Sequence, residues 1–156
     1  MKKKIFIFLL FLFLSSCGYE AIYSLKNRIN YAFSISEINL DGDRQVNLKI
    51  KQMLKSYSNP NIKEGKNFSL EISSNSEKII TAKDAAGDAT KFKNELIVNV
   101  KVFMNEEYRS SFVITDEFIY DNNSNTIELK AYENKIKNNL AEAAVDKIIL
   151  KLALYQ

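Results

Sequence analysis

"KFKNELIVNVKVFM", residues 91–104, is the stretch on which the fold turns. Phe92, Leu96, Val98, Val100, Val102 and Met104 share one face of an extended chain, because successive side chains on a strand point to opposite sides. Lys91, Lys93, Glu95, Asn99 and Lys101 occupy the other face, and Ile97 and Phe103 are the apolar exceptions. Asn105-Glu106-Glu107 then turns the chain. Phe112, Ile114, Phe118 and Tyr120 continue an apolar face in the next strand, with Asp116 breaking it. Long strands joined by short turns predict an antiparallel meander.

Upstream, Phe68, Leu70 and Ile72 alternate with Ser69, Glu71 and Ser73, which predicts a half-buried strand. This strand is expected to resume over 79–82, with Ser73 to Ser76 as a bulge or irregularity. Asp84-Ala85-Ala86-Gly87-Asp88 supplies the hairpin connection to residue 91. Earlier still, Phe33 to Ser36 alternates with Ile38 and Leu40 beyond, predicting a first strand over about 32–39. Asp41-Gly42-Asp43 offers turn and cap chemistry. Val46, Ile50, Met53 or Leu54, and Tyr57 then fall at helical spacing, so a helix is predicted over 44–58, with Asn59-Pro60 stopping it. Downstream, Asp121 to Asn125 is a polar loop. From Ile127 the period becomes helical through Leu129, Tyr132, Ile136, Leu140, Ala144, Ile148, Leu152 and Tyr155. Ala141, Ala143 and Ala144 would allow that helix a close approach to the sheet. The expected fold is α+β and a single domain. It has a four-stranded, mostly antiparallel or mixed sheet with two helices packed on one face, in the order β-α-β-β-β-α.

The amino terminus has its own logic. Lys2, Lys3 and Lys4 precede a wholly apolar run from Ile5 to Leu14, too short to cross a bilayer, followed by Ser15, Ser16 and Cys17. Basic, apolar and small in that order reads as a signal peptide over residues 1–16. Leu14-Ser15-Ser16-Cys17 resembles the bacterial lipobox, which implies a diacylglyceryl group on the Cys17 sulfur and cleavage before it. Two or three acyl chains hold a protein firmly, at about 0.8 kcal/mol per buried CH₂. Gly18, rather than Asp, after the cysteine favours the outer membrane. Residues 17–30 are expected to be the lipidated tether, in which Tyr19, Ile22 and Tyr23 are candidates to dock on the domain at 31–156.

The chain has 156 residues, a net charge of +3, one cysteine and no histidine. The charge excess belongs to the three lysines of the signal, which leaves 19 basic and 19 acidic residues afterwards. The mature chain is therefore no polycation, and nucleic acid is not an expected partner. The absence of histidine excludes His-based triads and most zinc or copper sites. Cys17 is taken as the anchor, so no thiol is left for catalysis. Glu64-Gly65-Lys66 lacks the rest of a phosphate loop, and Asp41-Gly42-Asp43 lacks the rest of a calcium loop. Adjacent acids such as Glu106-Glu107 point to opposite faces of a strand. The expectation is a non-enzyme with no cofactor and no metal. The polar feature that stands out is "KDAAGDATKFK", residues 83–93, where Lys83, Lys91 and Lys93 stand at a hairpin end and Asp84 and Asp88 temper their field.

Taken together, several features resemble the LPS-assembly lipoprotein family, LptE, of the outer-membrane lipopolysaccharide translocon. They are Cys17-Gly18-Tyr19 followed by Ile22-Tyr23, the β-α-β-β-β-α order, the segment "DATKFKNELIVNVKVFM", and a closing helix of the form "AYENKIKNNLAEAAVDKIILKLA". The resemblance runs over nearly the whole mature chain and rests on order and spacing. It implies a lipoprotein anchored on the periplasmic side of the outer membrane. It implies a plug and assembly partner for the β-barrel protein LptD, and a binder of lipopolysaccharide. It also implies lipid A phosphate contacts at basic residues near the sheet's loop end and the start of the last helix. The positions that fit are Lys91 and Lys93, then Lys83 and Lys130. Two other readings stay open: another outer-membrane lipoprotein adaptor, and a small periplasmic binding domain anchored only for retention.

Overall fold

The computed structural model describes residues 33–58 and 65–155, which belong to one compact unit, Tyr31–Gln156. The signal at 1–16, Cys17, the tether at 17–30 and Asn59-Pro60 lie outside the described residues. The element order is β1 (Phe33–Gly42), α1 (Arg44–Leu54), a 3₁₀ turn (Lys55–Tyr57), β2 (Lys66–Lys83), β3 (Ala89–Met104), β4 (Glu107–Asp121) and α2 (Thr126–Ala153). The strands lie in the order β1-β2-β3-β4. β1 runs parallel to β2 across the α1 connection, and β2-β3-β4 is the antiparallel meander, so the sheet is mixed. Both helices cover one face, as expected.

Strand phase explains where each residue points. In β1, Phe33 and Ile35 are buried at odd positions, yet the next inward residues are Ile38 and Leu40. The register against β2 slips between Ile35 and Glu37, so a bulge at Ser36 absorbs the change of phase. β2 differs from the expectation. It runs unbroken for 18 residues, and Ser73 to Ser76 pair regularly with β3. The irregularities come later, between Ile80 and Lys83. Serines can hold an inward position when they find partners, and the Oγ of buried Ser74 donates to Asn47 Oδ1 at 2.8 Å.

α1 is shorter than the predicted helix. After Leu54 the chain tightens into the 3₁₀ turn, where Ser56 Oγ donates to the Met53 carbonyl at 2.7 Å. That turn lays Tyr57 over Phe33, with ring centroids 6.3 Å apart and ring planes nearly parallel, and Ser58 Oγ donates to the Ile35 carbonyl. In α2, Ile136, Leu140, Ala144, Ile148 and Leu152 are buried, and so are Ala141, Val145 and Ile149. The stripe is wider than a single seam because α2 packs on the sheet and on α1 together. Asp116, the residue that breaks the apolar face of β4, does lie on the inner face, where it pairs with Lys147 of α2.

Asp43 joins the two helices. Its carboxylate caps α1 by accepting from the N–H groups of Gln45 and Val46, and it pairs with Lys137 of α2 at 3.0 Å. Burial alone would raise its pKa, but the Val46 N–H, Lys137 and the Gln45 N–H outweigh burial and hold it below the ordinary 3.8. A carboxylate with a lowered folded-state pKa contributes stability above its unfolded value, and that contribution is lost as pH falls through the folded one. Asp43→Ala should therefore cost about 1–2 kcal/mol at neutral pH. The difference from the unsubstituted chain should shrink in urea melts as the pH is taken progressively below the ordinary 3.8.

Candidate functional site

Two surfaces at the hairpin end of the sheet hold the polar groups of interest. On the outer face, which carries no helix among the described residues, Lys91 pairs with Asp121 directly across from it at 2.8 Å, both well exposed. Lys93 lies deeper. Its ammonium contacts Glu95 at 2.8 Å and Glu117 at 3.0 Å. The hydrogen bonds to Glu95 and then Glu117 raise its pKa against a small opposing effect of burial. Glu77, Glu95 and Glu117 stand directly opposite one another on three strands, so Lys93 is the cation that a row of carboxylates requires. Lys83 closes β2 and is exposed. The loop beyond it is held by Asp84, whose Oδ1 accepts from the N–H groups of Ala86 and Asp88 at 2.9 Å. That carboxylate is committed to the turn. Lys130 is exposed on the first turns of α2, on the helix side of the sheet. The structure thus sets Lys91 and Lys93 on one face and Lys130 on the side of the other.

The inner face near the same end holds a polar cluster that the sequence reading did not single out. Tyr120 donates from its hydroxyl to Glu133 of α2 at 2.9 Å, and Lys78 reaches the same carboxylate at 2.6 Å. The Lys78 ammonium also lies 3.7 Å from the centre of the Phe92 ring. Burial, and then the Glu133 hydrogen bond and charge, push the Tyr120 hydroxyl far above its usual range. Asn94 is buried beside it, 1% exposed, with its Nδ2 lacking a protein partner. The signal for this cluster was present in the even-numbered phase of β2. Followed without a break from Phe68, that phase carries through Ser74 and Ser76 to Lys78 and turns it inward.

Two shallow grooves accompany these groups. One, of about 760 Å³, runs between the end of β4 and the start of α2 and is lined by Phe118, Tyr120, Asn122, Ser124, Leu129 and Tyr132. The other, of about 390 Å³, crosses the outer face among Asn39, Asp41, Glu71, Ser73, Asn99 and Lys101. These linings offer hydrogen bonds, aromatic surface and paired charges. Among the described residues there is no group of three or more His, Cys, Asp or Glu placed to hold a metal ion. No helix among them is long and apolar enough to cross a membrane.

No sequence-family model matches the chain, and no curated protein sequence does. Solved structures do match it by fold. Rare lipoprotein B from Shewanella oneidensis is similar with a TM-score of 0.55 at 14% identity, over 76% of this chain and 95% of that one. Lipoprotein B from Nitrosomonas europaea, described as uncharacterized, is similar with a TM-score of 0.59 at 12% identity, over 82% and 89%. At these identities the likeness is one of fold.

Proposed function

We propose that the chain is an outer-membrane lipoprotein, anchored through Cys17 on the periplasmic side, that plugs and helps assemble the LptD barrel and binds lipopolysaccharide. It acts without catalysis. The observation that carries this reading is a sheet that, among the described residues, is covered by helices on one side. Helices cover the inner face, while the outer face presents Ser69, Glu71, Ser73, Asn75, Asn99 and Lys101, a hydrogen-bonding surface suited to a polar barrel lumen. The lipobox-like Leu14-Ser15-Ser16-Cys17 supports the anchor. The fold shared with chains named as lipoproteins supports the class.

Lys91 is the best-placed lysine for a lipid A phosphate. Its pair with Asp121 is exposed on both sides, and exposed pairs are weak, so a doubly charged phosphate displaces the carboxylate readily. Lys91→Gln together with Lys93→Gln should weaken lipopolysaccharide binding about tenfold or more, with an unchanged circular dichroism spectrum. Binding that stayed the same would remove both residues from the site. The partner is tested separately, by affinity purification of the tagged chain from detergent-solubilised envelopes followed by mass spectrometry. The expected companion is a large translocon-type barrel. A stable monomer with no barrel would favour the anchored binding domain instead.

A further inference from the structure

Among the described residues β4 is an edge strand with no neighbour on its open side, and the centre of that edge is uncharged. The strand is 15 residues long, contains no lysine or proline, and has no charged residue from Ser110 to Thr115. Lysine or proline would blunt such a stretch, and the protections β4 does carry, the bulge at Arg109 and the inward charge of Asp116, flank it on either side. The direction of its hydrogen bonds follows from one contact. The Asn122 N–H donates to the Thr90 carbonyl at 2.8 Å, and the register against β3 is regular from Asp121 to Ser110. Even-numbered residues therefore turn their N–H and C=O toward β3, and residues 111, 113, 115, 117 and 119 turn theirs to the open side.

We infer that this edge pairs antiparallel with β4 of a second copy of the chain, about a two-fold axis through Val113. That register sets Val113 against Val113 of the second copy and Ser111 against Thr115, so the free N–H and C=O groups meet one another. It also brings Arg109, at the bulge that opens β4, toward Glu117 of the second copy, twice by symmetry. Val113 is 59% exposed in the single chain and becomes the centre of the contact.

α2 gives independent support for the same axis. Lys147 pairs with Asp116, Lys151 lies over the Phe112 ring at 5.0 Å, and Tyr155 bonds Ser110, so this stripe of α2 lies along β4. Leu150 and Leu154 each follow such a residue by three, about 60° further round the helix and away from the core. They are 61% and 83% exposed. α2 contacts β3 and β4 alike, so its axis lies about half a strand spacing inside β4, and with adjacent strands about 4.8 Å apart the pairing of the two edges would set the two α2 helices side by side at roughly 10 Å, a helix-packing distance. The level of the axis is that of Lys151, between the two exposed leucines. The pairing that satisfies the edge therefore also buries Leu150 and Leu154.

This inference does not depend on the translocon reading, and its test is separate. Full-length chains carrying Val113→Cys, Leu48→Cys or neither are oxidised in detergent extracts and separated without reductant. Leu48 is exposed on α1 and serves as the collision control. Val113→Cys should yield a species of doubled mass well above both controls. Adding Thr115→Pro should abolish that species while the circular dichroism spectrum holds, because the Thr115 N–H points away from β3 and proline is tolerated there. Should that proline disturb the fold, Val113→Lys serves instead and should raise the sedimentation-measured dimer Kd at least about tenfold. A Val113→Cys yield no higher than the controls would overturn the inference. An adduct with a different polypeptide would also overturn it.

Discussion

Gly42→Ala should unfold a large share of the molecules, with a loss of roughly 3–5 kcal/mol in urea melts. Gly42 ends β1 at φ +99°, a conformation that costs an L-residue strain wherever it occurs. The second cost is contact. A Cβ there would stand 1.9 Å from the carbonyl oxygen of Ser74, and backbone cannot swing away as a side-chain tip can. Relief would require the β1–β2 pair to part at the point where the Asp43 N–H donates to that same carbonyl at 3.0 Å. The Asp43 cap and its pair with Lys137 depend on that junction, so one methyl group disturbs the strand pair, the start of α1 and the α1–α2 tie. A substitution at Gly87 should cost much less. That glycine also has positive φ, at +92°, but a Cβ would meet nothing within 4 Å.

Leu140→Asp should have an effect of similar size, about 3–5 kcal/mol at neutral pH. Leu140 is 8% exposed on the stripe of α2 that faces the sheet, between Ile136 and Ala144. The substitution removes a packed side chain and asks a carboxylate to give up water without a partner. Leu140→Met keeps the volume and should cost less than about 1.5 kcal/mol. Equal melting curves for the Asp and Met variants would mean that α2 is not packed on the sheet.

The two substitutions differ in how far the sequence announces them. Leu140 was legible because helical spacing identifies a buried stripe without knowledge of what covers it. Gly42 was legible only as turn chemistry. Its contact with Ser74, 32 positions away, exists because β1 and β2 are parallel, and parallel pairing joins residues that no local pattern connects. The bulge at Ser36 had a trace in the sequence, since the apolar phase changes between Ile35 and Ile38. The bulge expected at Ser73 to Ser76 followed the opposite logic and was wrong. A run of serines looks like an interruption to a hydrophobicity pattern, yet Ser74 sits in the core because Asn47 accepts its hydrogen bond. Asn94 and Lys78 were missed for the same reason. Their inward positions depend on α2 delivering Glu133 to the far side of the cluster.

The lysines at the hairpin end show the limit more sharply. Their number and spacing were visible, and they suggested one basic tip. Strand alternation and cross-strand partners decide the rest. Lys93 is held by two carboxylates, Lys91 by one in open water, and Lys130 stands on the side of the other face. Charge counted along a chain does not reveal which cations remain available to a ligand.

The proposed function turns on a fatty-acylated cysteine that holds this domain at a bilayer. The direct measurement is the intact mass of the chain purified from native envelopes. The predicted result is a polypeptide that begins at Cys17 and carries a diacylglyceryl group, with a further acyl chain on its amino terminus. A chain from the soluble fraction with a free Cys17 thiol and no lipid would contradict it.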